Sequence, residues 1–413
     1  MHRSISRWTR LVAAVLLAGV AAVAQASAGN GIRFGGAEGR LHPFLDLETR
    51  YDSNVSYTPT NEAVSDLILH VRPGVDLKVP GELASVEFSG ALDWANYLGI
   101  DDPSTKDLSK FYGDARLAAR FAHRSPVSVR VDDDFRRQVS TSSLAASSRA
   151  VVSNWNALSL SVPWTPGGGA LVVTASGQWL LETFEKYQED PGGLDVGDYG
   201  YSQMRGGGEV LWRFLPRTSA VFSGGYFTRT PNTPTRADEA TGFDLAAGIT
   251  GLLTPRIAAN AKVGFASTTA QRAALSGAPT PPSQDASGFV TDVGLEWLPL
   301  ETMSVRAGYT RSLGVDPLAS VYVADGVNGA VRVKVATRFA FHAGARYDRL
   351  KFSSISGAET SFLRVDPGID GAIGRWLNVG AGYVYSTRVA TWPGSPVPDY
   401  AKNEVFLKLG LTY

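Results

Sequence analysis

The residues best placed to do chemistry in this chain are charged and regularly spaced. Arg130, Asp132, Asp134 and Arg136 stand two apart, which on an extended backbone puts all four on one face. Arg116 and Arg120 precede them in the same phase, and Arg72, Arg205, Arg346 and Asp366 occupy similar positions elsewhere. Such a face can bind or filter ions. Covalent catalysis needs more, namely a nucleophile with a base within hydrogen-bond reach. The 413 residues contain five His and no Cys, and His2, His42, His70, His123 and His342 are scattered. No Gly-x-Ser-x-Gly or His-Glu-x-x-His run occurs. No enzyme, cofactor or metal site is therefore expected. With 39 basic against 39 acidic side chains, the electrostatic footprint of a nucleic-acid binder is missing too.

The elements that must carry these charges are strands. Between 67 and 79, Leu67, Leu69, Val71, Val75, Leu77 and Val79 alternate with His70, Arg72, Asp76 and Lys78. One face is apolar and the other is polar. The same period recurs in about eighteen segments, most of them about 9–12 residues long, the length of a strand crossing a bilayer at a tilt. Short connections such as Pro80-Gly81 and Pro255-Arg256 take turns with long polar ones at 137–153, 185–200, 229–241 and 267–287. That rhythm predicts an all-β, transmembrane, antiparallel up-and-down β-barrel with periplasmic turns and outer loops.

Aromatic residues support this orientation. Trp94, Trp179, Tyr226, Phe265, Tyr309, Tyr347 and Tyr383 fall at the loop ends of their segments. Phe121, Trp164, Phe214, Trp297 and Tyr413 fall at the turn ends, so two interfacial rings follow. The final run Val405, Leu407, Leu409, Leu411, Tyr413 resembles the signal read by the outer-membrane barrel insertion machinery.

Residues 1–28 read as a signal peptide: three Arg, the apolar run Leu11 to Val23, then Ala-x-Ala cleavage options. Residues 29–413 then form a single outer-membrane barrel surrounded by lipid. A barrel of this size encloses a water-filled bore. The polar phase should line it, with most charges paired across neighbouring strands and the rest free to constrict it. The group Arg130, Asp132, Asp134, Arg136, Arg116 and Arg120 is the first choice for the constriction. The 267–287 loop is the longest candidate to fold inward. Few aromatics share the inward phase, Tyr97, Phe184 and Phe406 among them. Gly206-Gly207-Gly208 reads as close wall packing.

At the end of the first segment, Tyr51-Asp52-Ser53-Asn54-Val55 forms an aromatic-Asp-x-Asn-aliphatic run. With a preceding signal peptide and a full-length barrel, the chain resembles β-barrel porin family 2 and the 18-stranded outer-membrane porins of exopolysaccharide secretion. The resemblance implies a conduit exporting polysaccharide with a periplasmic co-polymerase as partner. The alternative is a passive diffusion porin for small hydrophilic solutes. A surface anchor with binding loops is a third reading that no loop singles out.

Overall fold

The computed structural model describes residues 31–33, 38–140, 150–187, 195–273, 283–317, 320–353, 357–391 and 399–413. The signal-peptide segment lies outside them, as does 274–282 of the expected inward loop.

Eighteen long strands form one antiparallel sheet that closes on itself. In chain order they begin with β1 (Arg40–Asp52), β2 (Asp66–Val79), β3 (Ala84–Tyr97), β4 (Lys110–Phe121), β5 (Val129–Ser140) and β6 (Val151–Trp164). Next come β7 (Leu171–Lys186), β8 (Tyr201–Leu215), β9 (Thr218–Pro231), β10 (Glu239–Thr254), β11 (Ile257–Gln271) and β12 (Gln284–Leu300). The last six are β13 (Met303–Asp316), β14 (Ser320–Ala336), β15 (Phe339–Phe352), β16 (Glu359–Ile373), β17 (Leu377–Thr391) and β18 (Tyr400–Thr412). Each pairs with its sequence neighbours. The seam joins β18 to β1, from Glu404 opposite Asp52 to Thr412 opposite Phe44. A two-residue strand, Ile32–Arg33, extends β1 at the turn end. Closure follows from the solvent: in hydrocarbon an unpaired strand edge leaves each backbone N–H and C=O unsatisfied, at several kcal/mol apiece.

The apolar phase faces outward. Leu47, Leu92, Leu158, Leu245 and Leu407 are exposed on the wall, as lipid-facing residues must be when no lipid is present. Of the twelve aromatics assigned to the two rings, all but Tyr309 are exposed large side chains. Tyr309 is half-buried because its hydroxyl donates to Asp325 at 2.8 Å.

Two expectations need correction. Strands run from 12 to 17 residues, longer than the alternation indicated. Beyond the bilayer the wall has water on both sides, so hydrogen-bonded pairing continues after the apolar signal stops. Strands therefore take over much of the expected loops: β5 reaches Ser140, β11 reaches Gln271 and β12 starts at Gln284. β13 and β14 likewise stay paired out to Asp316 opposite Ser320.

Candidate functional site

The polar phase of β1–β5, with part of β16 and β18, encloses a cavity of about 870 Å³. It brings together Arg116, Asp134 and Arg136 from the expected constriction group with Arg72 from elsewhere on the polar phase. The other predicted residues, Arg120, Arg130, Asp132, Arg205, Arg346 and Asp366, lie elsewhere on the polar phase.

Ion pairs neutralise most of these charges, and many join neighbouring strands as expected: Arg306 meets Glu296 at 2.9 Å, Arg311 meets Asp325 at 3.1 Å and Lys408 meets Asp46 at 3.1 Å. Others lie on one strand, two residues apart, where side chains share a face. Arg130 meets Asp132 at 2.7 Å, Arg136 meets Asp134 at 2.6 Å, Arg346 meets Asp348 at 2.7 Å and Arg364 meets Asp366 at 3.7 Å. Arg50 meets Glu48 at 2.5 Å in the same way. Other pairs skip a strand. Arg72 on β2 reaches Asp114 on β4 at 2.5 Å, over the small residues of β3. Arg205 on β8 pairs with Asp244 on β10 across Gly225, where a Cβ would sit 2.7 Å from the guanidinium. A guanidinium is long enough to prefer these arrangements wherever the nearest cross-strand partner is small. Gly207 also fits the close-packing reading, since a Cβ there would come 2.8 Å from the Gly224 carbonyl oxygen; Gly206 has open space.

Arg116 and Arg120 differ from the rest: among the described residues neither side chain has an ion-pair or hydrogen-bond partner, and both are exposed. Arg116 faces Asp134 in register, but that carboxylate is already held by two bonds from Arg136. Arg120 faces Arg130. Arg136 also lies over the Trp155 ring, 5.3 Å from its centroid.

The cavity has a lid at its loop end, built from residues outside the alternating pattern. Lys402 is buried. Its Nζ lies 2.7 Å from Asp52 Oδ2, 3.7 Å from Glu404 Oε1 and 3.0 Å from the Tyr57 hydroxyl. Tyr57 sits in the β1–β2 loop with φ of 55°, a left-handed conformation that is strained for a non-glycine residue. Burial pushes its hydroxyl pKa up to about 12. The Asp52-x-Asn54 run explains the turn. Asp52 Oδ1 accepts from the Asn54 amide at 2.9 Å, and Asn54 Nδ2 donates to Thr58 O at 2.7 Å and Ala401 O at 3.1 Å. Val55 is thereby driven into a buried cluster with Ile68, Tyr97, Leu108, Tyr112 and Tyr187. Tyr187 follows β7, yet its hydroxyl donates to Val55 O at 3.1 Å, so chain segments six strands apart meet over the lumen.

A second inward contact comes from the paired ends of β13 and β14. Arg229 on β9 donates to Val315 O at 2.7 Å, and Val321 is fully buried beside Ala240 and Ala270. The inward elements are thus the 53–65 loop and these strand ends. Lys402 and Glu404 lie on β18 just ahead of the run that begins at Val405, and only their depth in the fold identifies them; Asp52-x-Asn54 is the one readable signal.

A closed eighteen-strand wall, lipid-facing outside and ion-lined inside, defines an outer-membrane barrel of the porin type, a channel architecture rather than an enzyme scaffold. The chain belongs to the family described as Putative beta-barrel porin 2, whose profile matches residues 28–413. A search of curated proteins by sequence found no match. Similar solved structures include Pseudomonas aeruginosa OpdO, 11% identical, covering 90% of this chain and 97% of that one with a TM-score of 0.46. Pseudomonas aeruginosa OccK9 (OpdG) is 12% identical, covers 91% and 99%, and has a TM-score of 0.47. The FrpB iron transporter from Neisseria meningitidis is 8% identical, covers 90% and 82%, and has a TM-score of 0.46.

Proposed function

We propose that the protein is a diffusion channel for small hydrophilic solutes across the outer membrane. One observation carries this reading: an ion-lined cavity of about 870 Å³ lies under a lid that narrows the loop-end mouth. Dispersed pairs of both signs favour hydrated small molecules without gripping any one of them, since each pair cancels most of its own field. Entry through the signal peptide and insertion by the barrel machinery belong to the same proposal.

Export of an exopolysaccharide with a periplasmic co-polymerase is the less supported reading. A polymer would have to displace the lid, where the Tyr57 and Tyr187 rings meet edge to face at 6.1 Å, and the aromatics that share the inward phase are few for a track on which sugar rings could stack. The test is a liposome-swelling series. Purified barrel should admit monosaccharides and amino acids and exclude oligosaccharides. Equal rates with and without protein would remove the channel reading. Loss of secreted polysaccharide in a gene deletion, with unchanged solute uptake, would instead favour export.

A further inference from the structure

We propose that this channel prefers small anions, selected by a belt of unpartnered bases near the periplasmic end of the lumen; the inference rests on the diffusion reading above. Arg116 and Arg120 on β4, Arg213 on β8, and Arg332 and Lys334 on β14 all occupy the polar phase. Each lies within one or two turns of pleat from the periplasmic end of a descending strand, so the five form one tier spread around the barrel. Among the described residues none of these side chains has an ion-pair or hydrogen-bond partner, and the Nε of Arg332 is buried without one.

Fewer acids of that tier are left over. Asp370 lies 3.1 Å from His342, and Asp76 and Glu87, which have no ion pair among the described residues, face His42 and Lys78 in register, so they are outnumbered by the five bases. Asp132 and Asp134 are held by Arg130 and Arg136. Higher up, Asp93 lies 3.0 Å from His70, and Asp52 and Glu404 are buried around Lys402. A close ion pair presents a dipole, whose field falls off faster than that of a single charge. An unpartnered guanidinium acts over a Debye length of about 8 Å at physiological salt. What an ion in the bore meets is therefore the unpaired remainder, and that remainder is positive.

The experiment is the reversal potential of the full-length barrel in planar bilayers under a potassium chloride gradient. It is run on the wild type and on Lys402→Met, which loosens the lid. Chloride should permeate faster than potassium. Arg116→Gln with Arg120→Gln should lower the chloride-to-potassium ratio roughly twofold, and adding Lys334→Gln should lower it further. Arg120→Lys should keep the preference. These positions are exposed, so heat-modifiable gel mobility should report an unchanged barrel. Cation preference, or a chloride preference that survives loss of the belt, would overturn the inference. Absence of current from both proteins would instead remove the diffusion reading, and this inference with it.

Discussion

Lys402 on β18 and Asp52 on β1 form an ion pair of 2.7 Å in which the two side chains are 5% and 3% exposed. The pair sits across the seam of the barrel and pins the loop that turns inward after Asp52. Breaking one partner of such a buried pair leaves an uncompensated charge, which costs far more than the pair itself contributes.

The lid should therefore open when Lys402 is replaced. Lys402→Met leaves Arg50 on Glu404 at 3.0 Å but strips the buried Asp52 of its cation, and the loop can relieve that by swinging out. Single-channel conductance should rise, by a factor of about 2 if the cavity is the narrowest part of the path. Lys402→Arg should stay close to wild type. Unchanged conductance in Lys402→Met would show that the loop does not limit flow.

Asn54→Ala removes the side chain that ties Thr58 and Ala401 together. Losing those bonds in a buried setting should cost about 2 kcal/mol of local stability. Brief protease treatment of intact cells should then cut within 53–65 in the variant and spare the wild type. A barrel equally resistant in both forms would contradict the role given to Asn54.

The lid should also respond to alkali. Tyr57 is raised to about 12 by burial, and Tyr187 is raised well above its ordinary value for the same reason. A phenol whose pKa is raised on folding stabilises the closed lid fully below its unfolded value near 10 and loses that contribution as pH climbs through 12. Lys402, Asp52 and Glu404 face Tyr57 from β18 and β1, so Tyr57→Phe is the control that separates the phenol from the amine. Tyrosinate absorbance should show a fraction titrating late, and that fraction should shrink in Tyr57→Phe. Conductance should rise in the same window.

The outer wall makes a separate prediction. Leu245 is exposed on the lipid face of β10, whereas Thr250 on the same strand belongs to the polar phase. Leu245→Arg should destabilise the folded barrel by about 2–4 kcal/mol, and Thr250→Arg by much less. Refolding into liposomes across a urea series distinguishes them. Equal costs would mean that the two faces are assigned wrongly.

Strand number, orientation and the two aromatic rings could be read from sequence because lipid imposes a strict period of two, as Leu47, Leu245 and Leu407 show. The strand ends could not, because above the bilayer residues such as Thr268 and Ala270 pair without any difference between faces. The pairs that skip a strand could not be read for a related reason. Sequence shows that Arg205 and Asp244 share a phase, but only the curvature of the sheet and the bare backbone at Gly225 show that they meet. The lid was the hardest part, since Val55, Tyr57 and Tyr187 lie in irregular chain where no period applies.

The seam between β18 and β1 also has a consequence for biogenesis. The first strand to emerge from the ribosome waits, with one raw edge, for the last one translated. A product truncated before Lys402 lacks both the matching edge and the cation that anchors Asp52, so its sheet has nothing to close against.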